Sequence, residues 1–366
     1  MQTKHYEKLF AGLDIAGLKL ENRIALAPMT RVSATEDGFV TERMIKYYTK
    51  FARGGFSLLI TEGVYPDELY SQGYLYQPGI VNEDQTKSWR NVVESVHKQG
   101  SKIICQLMHA GALSQGNIHK ANSIGPSAIK PKGSQLSFYR GEGEFQLSKE
   151  MSSADIEDVK NGFVNAAKHA KEAGFDGVEV HGANGYILDQ FLTDYTNKRD
   201  DNYGGSTENR VRLSVEVLQE IRKAVGGDYP VGIRISQAKV NDSDHKWAGK
   251  EKDAEVIFSH LARAGADFIH ITEPKAFEPA FAGSSATLPE LAKKYGKVPV
   301  IANGALHDPE KAEELITEGY ADVISLGKGA LANQDWPSKV RNNAELAEFK
   351  AENHLLPIAD IKEIEI

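Results

Sequence analysis

Eight short apolar runs, spread along almost the whole chain and separated by helix-like segments, constrain this sequence more than any other feature. They are Ile24–Met29, Phe56–Thr61, Ile103–Met108, Gly177–Val180, Val231–Ile235, Phe268–Thr272, Val298–Ala302 and Val323–Leu326. Each reads as near-continuous apolar sequence rather than an alternation, the pattern of a parallel strand covered on both faces. The intervening segments carry helix signals. Ser152-Ser153-Ala154-Asp155 forms a capping sequence, and Ile156, Val159, Phe163, Ala166 and Ala167 follow at helical spacing, with a stop expected near Gly174. Asp308-Pro309-Glu310 supplies an N-cap, a proline and early negative charge for a helix ending at Gly319. Ser206–Val225 and Asp253–Ala264 behave alike. Such alternation permits a (β/α)8 barrel or a doubly wound open sheet, and eight units within about 330 residues favour the α/β TIM barrel.

Between Met108 and Ser152 lie about forty residues rich in Gly, Ser, Pro and Lys, too long for a featureless loop. Residues 110–151 are therefore expected to form a capping or hairpin excursion after strand 3. Asn241–Lys246 reads as a polar surface loop, and Lys362-Glu363-Ile364-Glu365-Ile366 as a strand or a frayed tail. No linker divides the chain, so 1–366 is expected to be one barrel domain with 110–151 inserted in it.

Composition narrows the function. A formal charge of −8 disfavours a nucleic-acid or anionic-membrane surface, which needs a concentrated basic face. The single Cys105 excludes an intrachain disulfide framework, a cysteine-based zinc site and an iron–sulfur domain within this chain. Met1–Leu20 is polar, without an apolar run of signal-peptide type, and no stretch approaches the ~20 apolar residues of a membrane span. A cytoplasmic protein is the expectation.

In a (β/α)8 barrel, chemistry sits at the C-terminal ends of the strands. Polar residues gather there: Thr30-Arg31 after run one, Glu62-Gly63 after run two, Gln106 to His109 in run three, and Glu179 to Tyr186 in run four. Arg234 lies in run five, Asn303-Gly304 follows run seven and Gly327-Lys328-Gly329 follows run eight. Glycines with Lys328 ahead of a helix suit a phosphate, although tight βα turns would need the same glycines. Gly327-Lys328-Gly329-Ala330-Leu331-Ala332 also fits a dinucleotide pattern, but too little chain follows to build that fold. His181 and Asn184 could hold a carbonyl oxygen, and Tyr186 stays protonated at neutral pH and could serve as a general acid. A metal at His109, Glu179 and His181 lacks ligand spacing. Arg234, inside an apolar strand, needs a carboxylate such as Glu62 or Glu179, or an electron-rich ligand. With the Gln106 amide beside it, a flavin ring would satisfy both.

Three stretches stand out together: Asn22-Arg23-Ile24-Ala25-Leu26-Ala27-Pro28-Met29-Thr30, then His181-Gly182-Ala183-Asn184-Gly185-Tyr186 with Gln190-Phe191-Leu192, and Arg199 through Arg210. On these motifs the chain resembles, from Leu9 to about Trp336, the Old Yellow Enzyme family of FMN-dependent ene-reductases. The resemblance implies tightly bound, non-covalent FMN, reduced in the same pocket by NADPH or NADH. Ala27, Pro28, Met29 and Thr30 would line the flavin, Gly63 would admit it closely, Gln106 would bind its pyrimidine edge and Arg234 its N1/C2 side. Asn303, Gly304, Gly327 and Lys328 would hold the phosphate. His181 and Asn184 would bind the carbonyl of an α,β-unsaturated substrate; hydride would pass from flavin N5 to the β carbon, and Tyr186 would protonate the α carbon.

Met108 replaces the Trp of many members, Lys328 stands where Arg is frequent, and Thr30 stands where another branch has Cys. A quinone or nitro-compound reductase on the same scaffold, a flavin-free lyase or isomerase, and a non-enzymatic flavin-binding sensor are the alternatives. Lys130, Lys132 and Arg140 would either meet a coenzyme 2′-phosphate or be solvated. No metal is implied. The partners expected are a small enone or quinone and, in some assemblies, further copies of the chain.

Overall fold

The computed structural model describes residues 6–366, so the first five residues of the polar N-terminal stretch and of the expected domain lie outside it. All eight apolar runs become strands: β1 Ile24–Leu26, β2 Leu58–Ile60, β3 Lys102–Leu107, β4 Val178–Asn184, β5 Val231–Lys239, β6 Phe268–Thr272, β7 Val300–Asn303 and β8 Val323–Leu326. They pair in parallel and in sequence order, and β8 pairs with β1 to close the barrel. The helices include α1 Glu42–Arg53, α2 Glu83–His97, α3 Ser153–Ala173, α4 Thr207–Val225, α5 Glu251–Arg263, α6 Leu288–Gly296, α7 Pro309–Thr317 and α8 Trp336–Arg341. No helix among the described residues is long and apolar enough to cross a membrane.

Local chemistry sets these boundaries. Ser152 and Asp155 form a reciprocal capping box at the start of α3, which ends at Gly174 with φ +94°. Its buried face includes Ile156, Val159, Phe163, Ala166 and Ala167, as helical spacing predicts. Asp308 caps α7 ahead of Pro309. The strands β4 and β5 run further than their apolar runs, to Asn184 and Lys239, because they keep pairing through an irregularity between Gly182 and Asn184.

Alternation along the strands divides the barrel interior into layers. The lower layer is apolar: Ala25, Leu58, Ile60, Ile104, Phe268, Ile301 and Val323 cluster with Ile15, Leu18 and Leu20. The latter three come from an antiparallel hairpin, Leu13–Ile15 with Leu18–Leu20, which plugs the end opposite the strand C-termini. Phe268 fits because position 232 is glycine, where a Cβ would lie 2.2 Å from its ring. The layer above is polar, with Gln106, Glu179, Arg234, His270 and Ser325.

The excursion after β3 is held together by short 3-10 turns at Gly111–Leu113 and Ser137–Tyr139 and by pairing of Ile124–Gly125 with Lys149–Glu150. Beyond α8 the chain folds back over the barrel mouth. Here the structure corrects the expectation of a strand or frayed tail: Glu363–Glu365 is a 3-10 turn, and Glu365 is fully buried. Its carboxylate accepts two hydrogen bonds from the Arg31 guanidinium, at 2.8 and 2.7 Å. Arg31 also donates to the carbonyls of His354, Ala359 and Asp360. A long-range ion pair, invisible to local periodicity, thus decides the shape of this segment.

Candidate functional site

A cavity of about 930 Å³ opens at the C-terminal ends of the strands. Its wall contains Ala27, Pro28, Met29 and Thr30 after β1, Gly63 after β2, Gln106 of β3, and His181, Asn184 and Tyr186 of β4 and its loop. Arg234, Asn303, Gly304, Gly327 and Lys328 complete that set. Glu273 and Pro274 after β6 line it too, so residues from all eight strand ends converge on one volume, as the barrel geometry demands.

The floor is a connected polar network. Gln106 Nε2 donates to Glu179 Oε1 at 2.7 Å, and Glu179 Oε2 lies 2.7 Å from His270 Nδ1. His270 Nε2 is 2.8 Å from Ser325 Oγ. Arg234 donates to Asn303 Oδ1 at 3.1 Å, and its Nε is buried with no partner. Neither Glu62 nor Glu179 forms the ion pair that a purely structural Arg234 would require. Burial pushes the Arg234 guanidinium down to about 10, although the charge of Glu179 opposes that shift. Asn303 is tied to this network, donating to the Ser325 carbonyl at 2.8 Å.

His181 and Tyr186 stand together on the cavity wall, their rings edge to face with centroids 4.9 Å apart. Burial, reinforced by the neighbouring Arg234 charge, holds the His181 imidazolium well below its ordinary value, so the ring is neutral. Its Nδ1 accepts from the Ala183 N–H at 3.3 Å, which leaves the proton on Nε2 as a donor. Burial raises the Tyr186 phenol, so it carries its proton at neutral pH. Asn184 has φ +62°. The turn that carries Tyr186 is fixed from beneath: Asp189 accepts from the Gly185 N–H at 2.6 Å and pairs with buried Lys239 at 2.8 Å.

Gly63 has a direct steric cause. A Cβ there would stand 2.5 Å from Met108 Sδ, so the methionine occupies the room that a side chain at 63 would need. Met108 itself lines the cavity. The short helix Lys328–Ala332 follows Gly327, and Lys328 Nζ lies over the Phe349 ring at 5.8 Å. His109 is not on the cavity wall; its Nδ1 accepts from the Gly111 N–H, and its Nε2 is 3.9 Å from Asp67. No group of three or more His, Cys, Asp or Glu side chains among the described residues is placed to hold a metal ion. In the excursion, Lys130 pairs with Glu144, Lys132 pairs with Asp242 at 2.7 Å, and Arg140 lies over the Tyr76 ring at 4.9 Å.

Sequence reasoning missed two further tyrosines. The Tyr74 hydroxyl lies 2.6 Å from the Tyr186 hydroxyl, and the ring of Tyr139, from the excursion, packs 4.7 Å from that of Tyr74 and lines the cavity. Tyr74 sits in a loop and Tyr139 in the short 3-10 turn Ser137–Tyr139, where neither spacing nor strand position singles them out. It also missed the wall made by Leu346, Ala347, Glu348, Phe349 and Leu355.

The sequence pattern of the NADH:flavin oxidoreductase / NADH oxidase family matches residues 8–347. An NADH oxidase from Thermoanaerobacter brockii is 34% identical over 352 residues, which cover 93% of this chain and 52% of that protein. The chain therefore spans about half the length of that relative. Among solved structures, an old yellow enzyme homologue from Zymomonas mobilis superposes with a TM-score of 0.84 at 30% identity, covering 93% of this chain and 94% of the other. Morphinone reductase in complex with tetrahydroNAD gives 0.82 at 31% identity, covering 93% and 92%.

Proposed function

Because the chain belongs to the NADH:flavin oxidoreductase / NADH oxidase family, we propose that it is an FMN-dependent NAD(P)H oxidoreductase that reduces activated C=C bonds of α,β-unsaturated carbonyl compounds. The observation that carries this reading is the pairing of a neutral, Nε2-protonated His181 with a protonated Tyr186 on the wall of a cavity floored by Arg234.

The residues present suit FMN. A volume of about 930 Å³ lies at the upper end of the ~300–1,000 Å³ of small-molecule and cofactor sites. An arginine whose Nε is buried without a partner is costly until an electron-rich group reaches it. Gln106 and Arg234 would hold the polar edge of the ring, Ala27 to Thr30 and Gly63 would flank it, and Asn303, Gly304, Gly327 and Lys328 would face the ribityl phosphate. FMN, when bound, supplies the hydride chemistry that amino-acid side chains lack.

The chain's own residues polarise the substrate and supply its proton. His181 Nε2–H and the Asn184 amide donate to the substrate carbonyl oxygen and stabilise the negative charge that grows there. A neutral imidazole is suited to this, since it donates without a competing counter-ion. The Tyr186 hydroxyl then delivers its proton to the α carbon, and the Tyr74 hydroxyl at 2.6 Å stabilises the phenolate left behind. Met108 and Tyr139 set the shape above the floor.

Purified protein loaded with FMN, reduced anaerobically by NADH or NADPH and then offered an enone, a quinone and a nitro compound, tests this reading. Flavin bleaching followed by enone-dependent reoxidation is the expected result. Failure to take up FMN overturns the proposal. Reoxidation by quinone or nitro compound without enone turnover favours the quinone or nitro reductase, and bound FMN that neither nicotinamide bleaches favours the sensor.

A further inference from the structure

We propose that Glu179 is a positioning residue: it fixes the Gln106 amide with its carbonyl oxygen toward the cavity, so that the floor accepts a ring edge offering an N–H. This inference rests on the FMN reading above and adds a residue that does not itself touch the ligand.

The chemistry of the network dictates the orientation. A carboxylate accepts hydrogen bonds and donates none, so the Gln106 atom facing Glu179 at 2.7 Å must be Nε2. The amide oxygen is left on the cavity side, with no protein partner among the described residues. The second Glu179 oxygen is committed in turn. It accepts from His270 Nδ1 at 2.7 Å, and His270 Nε2 accepts from the Ser325 hydroxyl at 2.8 Å. Burial keeps His270 neutral, so one ring nitrogen donates and the other accepts. Every bond in this chain therefore has a single direction, across residues of β3, β4, β6 and β8. Glu179 and His270 are fully buried, and Gln106 is 1% exposed, so no water competes for these positions.

A carboxylate sealed inside a barrel is an expensive way to fill space, and apolar side chains of similar volume would stabilise the fold as well or better. What the carboxylate supplies is polarity of one sign. A glutamine at 179 would let the Gln106 amide rotate by half a turn. The edge of a flavin pyrimidine presents one N–H between two carbonyls, and an inward-facing amide oxygen matches the N–H.

The test is a double-mutant cycle on FMN affinity, read by quenching of flavin fluorescence, with circular dichroism as the folding control. Glu179→Gln should weaken FMN binding about tenfold, the worth of one hydrogen bond. In a Gln106→Ala background the same substitution should change affinity by less than about twofold, because its target is gone. FMN methylated at the pyrimidine nitrogen supplies a second readout: wild type should discriminate against it more strongly than E179Q does. Additive losses, or unchanged discrimination, overturn the role of Glu179. Absence of FMN binding by the wild type overturns the FMN reading instead. If E179Q does not fold, His270→Gln, which releases the other carboxylate oxygen, should show the same dependence on Gln106, and its failure to do so overturns the role.

Discussion

Two buried arginines stand in opposite circumstances. Arg31, one residue past Thr30, is fully buried, makes two hydrogen bonds to Glu365 and three more to carbonyls, and lies over the Tyr47 ring at 5.1 Å. Arg234 is 5% exposed, makes a single hydrogen bond to Asn303 and has an unpartnered Nε. Burial works against both charges. At Arg31 the interactions with Tyr47 and Glu365 outweigh it and the guanidinium is held above its ordinary value, whereas Arg234 is pushed down to about 10. A cation held by five hydrogen bonds is architecture, and one left short of acceptors is what the proposed function reads as a receptor. The same residue type at similar depth is thus assigned by counting its partners.

Substitutions can cut this contrast from either side. Arg31→Met leaves Glu365 buried and unpaired, and should destabilise the apo protein by about 3–5 kcal/mol in denaturant titrations. A loss no larger than that of a surface mutation would end the architectural assignment. On the opposite side, Tyr186→Phe should lower enone reduction by about 10²-fold or more while flavin reduction by NAD(P)H and turnover with quinones persist. Equal loss of both activities would remove Tyr186 as the proton donor.

Glu62 is a weak point in the Arg31 region. It accepts from the Arg31 N–H at 2.9 Å, but its second oxygen is buried without a partner, and burial pushes its carboxyl up to about 7. A raised acid favours the folded state while protonated. Stability should therefore fall as pH rises from about 4.5 to about 7, by roughly 1.4 kcal/mol for each unit crossed, and level off above. Glu62→Gln should flatten that slope, and an unaltered slope would place the titrating group elsewhere. The smallest effect belongs to Arg234→Met. FMN affinity should drop about tenfold, the worth of one charge-assisted contact, while apo stability changes by less than half the loss seen in R31M. Stability and FMN affinity falling in proportion would make the two arginines alike after all.

How much of this was legible depended on the range of the cause. The eight apolar runs became the eight barrel strands, and the Ser152 and Asp308 caps stand where local chemistry put them, because each is decided within a few residues. Gln106, Arg234 and His181 could be singled out because polar residues in buried strands are conspicuous, and Tyr186 because it follows His181 and Asn184 in the turn just beyond β4. The further reach of β4 and β5 was hidden by the irregularity at Gly182–Asn184, which breaks the apolar run without breaking the pairing. Tyr74, Tyr139 and the wall from Leu346 to Leu355 lie in irregular segments placed by distant contacts. Glu365 looked like part of a frayed end because its partner is 334 positions away.

That distance has a consequence for the order in which the molecule assembles on the ribosome. Every strand of the barrel has been synthesised by Leu326, yet the clasp at Arg31 waits for residues translated some forty codons later, so a nascent chain can close its sheet while one side of its pocket is still missing.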